Sequence, residues 1–187
     1  ENEIPVDAEP ASIEHKRSII KLINSSPIED NYEKKKYEPF DWDQYGWIIK
    51  KVEITKDGIE FAKDISNNRG RIVSDGSFKK GQSTSCFRTI GKEPIVGFNK
   101  IPGRKKDQNS YRAELGGVLG CVTITKACCS QHKVTNGQVT IGCDNKGVVD
   151  ALSGYRQPNS RWKSFDLVCR IKTVSYTHLT LPTSVIV

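Results

Sequence analysis

The sequence predicts an α/β fold. Three observations carry that prediction. Short β-type segments cluster at 71–75, 85–90 and 95–101. One long helical pattern follows, with Leu115, Val118, Leu119 and Val122 spaced three and four apart. A further run, 139–143, alternates Val, Ile and Cys with Thr and Gly as a half-buried strand does. The resulting order, βββαβαα, is an α/β pattern.

Taken along the chain, residues 1–40 read as a polar, poorly ordered linker rich in Glu, Lys, Ser and Pro, with a charge run at Glu33-Lys34-Lys35-Lys36. One short amphipathic helix is predicted over 15–25. Residues 41–70 form a lead-in segment. Trp42, Tyr45, Trp47, Ile48 and Ile49 anchor it, and Val52 and Ile54 alternate with polar residues as in a strand. A short helix over 58–65 stops at Asn67-Asn68-Arg69-Gly70. The principal domain spans 71–173. Its first strand, 71–75, ends at Gly76; Gly91-Lys92-Glu93-Pro94 separates the next two. A basic loop, 103–109, leads to Ser110, placed to N-cap the long helix. Asn136-Gly137 marks a turn. Val148, Val149 and Leu152 predict a short helix stopped by Gly154, and 161–173 a last helix with Trp162, Phe165 and Cys169 as its inner stripe. The strand at 71–75 is expected to pair in parallel with 139–143, and 84–90 with 95–101 to extend the sheet antiparallel.

Charge divides the chain. The formal net charge is +7, yet residues 1–70 carry eleven Lys and Arg against fifteen Asp and Glu, or −4, whereas 71–173 carry eighteen against seven, or +11. Such a segment points to a polyanionic partner, most often nucleic acid, against the plainer reading of a solvated basic surface. The six cysteines form no CxxC pair, which favours free buried thiols, an intracellular setting in cytoplasm or nucleus, and no disulfide-linked partner. No apolar stretch is long enough to span a membrane. The chain holds no methionine, so it is expected to be an internal piece of something longer.

Three acids in the basic segment stand apart. Asp75 and Asp144 each end a predicted strand, and Glu114 lies in the first turn of the long helix. Parallel neighbouring strands bring both aspartates to one edge, where α/β folds place ligands. A helix laid across the sheet brings Glu114 to the same place. Each acid alone reads as a cap; together, close carboxylates repel unless a cation sits among them. Hard oxygen donors without His or Cys favour Mg²⁺, with Mn²⁺ as the alternative. A second pair, Cys128 and His132, is four apart on the helix and lacks further ligands.

Val73-Ser74-Asp75-Gly76-Ser77-Phe78, Tyr111-Arg112-Ala113-Glu114-Leu115 and Ile141-Gly142-Cys143-Asp144-Asn145 resemble the three acidic motifs of type 1 ribonuclease H. Their wording is most similar to such domains in eukaryotic retroelement reverse-transcriptase polyproteins, and the resemblance covers about 71–173. It implies a five-stranded mixed sheet flanked by helices. It implies endonucleolytic cleavage of the RNA strand of an RNA–DNA hybrid with two Mg²⁺, and a reverse-transcriptase domain preceding in the same polyprotein. By the same resemblance Asp75 bridges both ions, and Glu114 and Asp144 hold the second. Backbone near Gly76 and Glu114 meets the 2′-hydroxyl, with Ser77 and Asn145 alongside. Lys79, Lys80, Lys100, Arg104, Lys105 and Arg112 hold phosphates, with solvated charge as the plainer reading of each.

The chain departs from that pattern in several places. No fourth carboxylate or histidine loop follows the last helix, Asp166 being unsuited because it precedes the missing strand. The final strand and helix are expected to be missing. The segment between Gly154 and Ser164 is short, and Ser110 and Tyr111 replace hydrogen-bonding asparagines. Residues 175–183 match, over nine codons, an in-frame translation of a transposase-type sequencing adapter, so 174–187 are expected to be an artefactual tail. Activity is therefore expected to be impaired. A non-catalytic nucleic-acid-binding module is the alternative. A transposase or integrase core fits the fold, but not the Asp-Gly-Ser and Arg-Ala-Glu-Leu wording.

Overall fold

The computed structural model describes residues 19–22, 46–49, 51–54, 56–152, 164–178 and 183–186. Trp42, Tyr45, Gly154, Trp162 and the 33–36 charge run lie outside them.

The described elements are β1 (Ile19–Leu22), α1 (Gly46–Ile49), β2 (Val52–Glu53), α2 (Ile59–Ser66), β3 (Gly70–Lys79), β4 (Gln82–Thr89), β5 (Val96–Lys100), α3 (Ser110–Gln131), β6 (Val139–Gly142), α4 (Lys146–Leu152), α5 (Phe165–His178) and β7 (Thr183–Ile186). The strands form one mixed sheet in the order β1-β7-β6-β3-β4-β5-β2. The βββαβα order of the principal domain is as expected. So are the parallel β3–β6 pairing, with Val73 opposite Gly142, and the antiparallel β3–β4–β5 meander.

Several boundaries differ, each for a physical reason. β3 does not end at Gly76 but runs on to Lys79, paired with β4 throughout. The reversal falls instead at Lys80 and Gly81, whose φ of 51° and 77° are the two left-handed residues of a tight hairpin turn. The N-cap of α3 is Asn109, not Ser110: its side chain accepts from the Arg112 N–H at 2.8 Å. The predicted helix over 15–25 is replaced, at 19–22, by a strand paired with β7. Here Ile-Ile-Lys-Leu finds an open sheet edge, and pairing outweighs a weak helical period.

The spacing predicts one buried stripe on α3, yet the helix is buried almost all round, because it is wedged between the sheet on one side and α2 and α5 on the other. Gly116, Gly117 and Gly120 admit the sheet side. A Cβ on each would approach Ile101, Ser74 or Phe87 to within 2.2–2.9 Å. Phe87, 1% exposed, fills the space this leaves; burying such a side chain contributes about 2–3 kcal/mol. On the opposite sheet face Val73 and Phe98 stay 41% and 51% exposed.

Part of 174–187 lies inside the fold. Val174 sits three residues after Ile171 and seven after Leu167, so it continues the apolar stripe of α5, and all three are fully buried. Thr183–Ile186, mostly β-branched, pairs in parallel with β6, so a strand stands there although the final strand is expected to be missing.

Candidate active site

The site grows out of the β3–β6 register. With Val73 opposite Gly142 in parallel strands, two further residues on each chain bring Asp75 and Asp144 to the same end of the sheet. α3 crosses behind β3, and its first turns deliver Glu114 to that end. Gly76 makes the approach feasible. A Cβ there would stand 2.4 Å from the Glu114 backbone nitrogen and 2.6 Å from the Ala113 carbonyl carbon, too close for any side chain. Asp75 therefore lies within β3 rather than at its end, level with the point where β6 stops and Asp144 follows.

Their grouping is finer than expected. Glu114, Cys143 and Asp144 hold their donor atoms within 4.8 Å of one another. Asp75 stands beside this group rather than within it. It is exposed on the outward face of β3, with Cys86 as its cross-strand neighbour. Glu114 is 6% exposed. Burial pushes its carboxyl up to about 7, with the charges of Asp144 and then Asp75 adding to the rise; the Gly76 N–H and the Cys143 thiol oppose it. The Cys143 Sγ lies 3.9 Å from Glu114 Oε2, and burial pushes that thiol up to about 12. A buried carboxyl destabilised by two neighbouring carboxylates fits a divalent cation, whose charge would relieve the repulsion. This chain's donors suit one: hard oxygens from Glu114, Asp144 and Asp75. Sequence reasoning misses Cys143, because within an alternating strand it reads as a core residue.

The basic residues separate into two kinds. Lys79 and Lys80 are exposed at the β3–β4 turn, and the Lys105 side chain lies against the same turn: a Cβ on Gly81 would lie 3.4 Å from its Cε. Lys100 is exposed on β5, two strands from the exposed Ser77, with Thr84 between them in register. Arg104 is exposed and pairs with Asp107 at 2.8 Å. Arg112 corrects an expectation. It is 4% exposed, and its guanidinium donates to both oxygens of Asp166 at 2.8 and 2.7 Å and twice to the Pro102 carbonyl at 3.0 and 2.7 Å. Four of its five N–H donors are thereby committed, so it ties α3 to α5 and keeps one N–H for any phosphate. The Arg112 guanidinium holds the Asp166 carboxyl below the usual carboxylate range. Asn145 also supports the local backbone, since its Oδ1 accepts from the Val148 N–H at 3.2 Å at the start of α4.

Gln108, not singled out by the sequence, locks the loop before α3. It accepts from the Ser83 N–H at 3.0 Å and donates to the Ile101 and Gly103 carbonyls at 3.2 Å. A cleft of about 720 Å³ opens beside it, between this loop and the start of α5. The His132 Nε2 lies 2.9 Å from the Asp57 carbonyl oxygen. All six cysteines are free, and Cys121, Cys128, Cys129 and Cys143 are buried. Among the described residues no helix is long and apolar enough to cross a membrane.

No family model and no curated protein matches the chain. Solved structures do. RNase H1 from the halophilic archaeon Halobacterium salinarum is 12% identical, over 62% of this chain and 82% of its own, with a TM-score of 0.45. The N-terminal RNase H domain of a Mycobacterium tuberculosis protein, fused to maltose-binding protein, is 12% identical over 60% and 84%, with a TM-score of 0.36. The protease-reverse transcriptase of prototype foamy virus is 14% identical over 64% of this chain and 18% of its own, with a TM-score of 0.37.

Proposed function

We propose that this chain carries a type 1 ribonuclease H site that hydrolyses the RNA strand of an RNA–DNA hybrid. The observation that supports the reading is the meeting of Glu114 and Asp144, with Asp75 beside them, at one end of a sheet whose neighbouring loops are basic. Glu114, Asp144 and Asp75 would hold the divalent ions. Two bound Mg²⁺ would supply an activated water and neutralise charge on the leaving 3′ oxygen. The protein's own part is placement. Gly76 lets α3 sit against β3, so Glu114 is fixed by backbone rather than by a mobile side chain. The Asn109 cap and the Arg112–Asp166 pair fix the first turn of α3 in the same way. Lys79, Lys80 and Lys105 form an exposed cationic edge for phosphates, and Ser77 lies one pleat nearer the acids. The retroelement polyprotein setting, with a reverse transcriptase preceding, belongs to this reading.

A non-catalytic hybrid-binding module is the second reading. The commitment of Asp166 to Arg112 favours it, because that acid is thereby withdrawn from any metal shell. A labelled RNA–DNA duplex offered with Mg²⁺ or Mn²⁺ separates the two. Slow RNA-strand cleavage that Asp144→Asn abolishes supports the nuclease; hybrid binding without cleavage supports the module.

A further inference from the structure

We infer that Cys143 makes the Glu114–Asp144 position a mixed sulfur–oxygen site that takes a borderline or soft divalent ion, of the Zn²⁺ or Cd²⁺ kind, in competition with Mg²⁺. This rests on the reading of the acids as a cation site. The donor atoms of Glu114, Cys143 and Asp144 lie within 4.8 Å of one another, so side-chain closures of up to about 1 Å would let one ion bond all three. In a tetrahedral zinc shell, bonds of about 2.3 Å to sulfur and about 2.0 Å to oxygen set those donors about 3.5 Å apart. Cys143 Sγ and Glu114 Oε2 are 3.9 Å apart, so a closure of roughly 0.4 Å completes that edge. Both side chains are nearly inaccessible, at 3% and 6% exposure, while Asp144 is exposed. The ion would therefore enter past Asp144 and seat its sulfur bond on the dry side. Thiolate selects against Mg²⁺, which prefers an all-oxygen octahedron and dehydrates reluctantly. On ligation the Cys143 S–H proton leaves to solvent and the sulfur lone pair forms the metal bond. Occupancy of this kind denies Glu114 and Asp144 to Mg²⁺, which gives the site a metal-dependent off state.

The test uses the full 187-residue chain and Cd²⁺ alone as the probe, followed by the ultraviolet thiolate-to-cadmium charge-transfer band. The expected result is a band that saturates near one equivalent. Cys143→Ser abolishes it and weakens Cd²⁺ roughly tenfold or more, while Mn²⁺ affinity shifts less than about threefold. Cys86→Ser and Cys169→Ser keep the band. Should Cys143→Ser fail to fold, protection of Cys143 from alkylation by stoichiometric Cd²⁺ in the unaltered chain, mapped by mass spectrometry, gives the same answer. A band that survives Cys143→Ser, or Cd²⁺ binding with neither band nor protection, overturns the inference. Failure of Mg²⁺-dependent hybrid cleavage with the band intact overturns the nuclease reading instead.

Discussion

Glu114 makes the metal-free fold less stable as pH rises, and the size of the effect follows from its surroundings. Its carboxyl ionises at about 7 in the fold against 4.5 when unperturbed. Between those values the folded state holds a proton that the unfolded state has released, so stability falls as pH climbs from about 4.5 through 7. The full difference corresponds to about 3 kcal/mol, reached near pH 8. Glu114→Gln removes the ionisation while keeping an oxygen to accept the Gly76 N–H. The variant is expected to match the parent chain at pH 4 and to exceed it by up to about 3 kcal/mol at pH 8, roughly 6–12 °C in Tm for a chain of this length. The assay is urea or thermal unfolding with a chelator across pH 4 to 8. Mn²⁺ should erase the difference by binding the carboxylate form. Parallel pH profiles for the two chains would refute the placement of Glu114 against Asp144.

Other perturbations probe the scaffold and the surface. Gly76→Ala forces a Cβ onto the α3 backbone and is expected to cost about 1–3 kcal/mol in urea denaturation and to displace Glu114. Asp166→Ala removes the half-exposed partner of the buried Arg112, which keeps its bonds to the Pro102 carbonyl, and should cost about 1–2 kcal/mol near neutral pH. Because the Asp166 carboxyl titrates below 3.8 in the fold, its contribution is present above that value and lost as pH falls further, so the variant's deficit should shrink in acid. Lys80→Ala and Lys105→Ala should weaken hybrid and duplex binding alike, each lowering the slope of log affinity against log salt by about 1.

How much is legible in the sequence depends on how local its cause is. The β3–β6 pairing follows from alternation and is readable; Asp75 comes level with Asp144 through that parallel register, although β3 itself runs four residues further, to Lys79. The hairpin is not readable, because Gly76 looks like a stop when read alone. Its glycine answers to α3, a partner that lies almost forty residues away in sequence. Arg112 follows a basic loop and reads as a phosphate ligand; only the packing of α5 against α3 reveals that Asp166 claims it. Cys143 looks like a core residue, which its burial agrees with, and its second role depends on how Glu114 descends from another element. Ile19–Leu22 and Thr183–Ile186 are short segments whose pairing is settled by an available sheet edge rather than by their own period.

The central claim is that Asp75, Glu114 and Asp144 hold divalent ions for cleavage of RNA paired to DNA. Its most direct test is an end-labelled RNA–DNA hybrid incubated with the chain and Mg²⁺ or Mn²⁺, beside Asp75→Asn and Asp144→Asn. Slow endonucleolytic cuts in the RNA strand only are expected, stopped by chelator and reduced at least about a hundredfold by either substitution. Cleavage that persists undiminished in both variants, or that falls equally on single-stranded RNA, would contradict it.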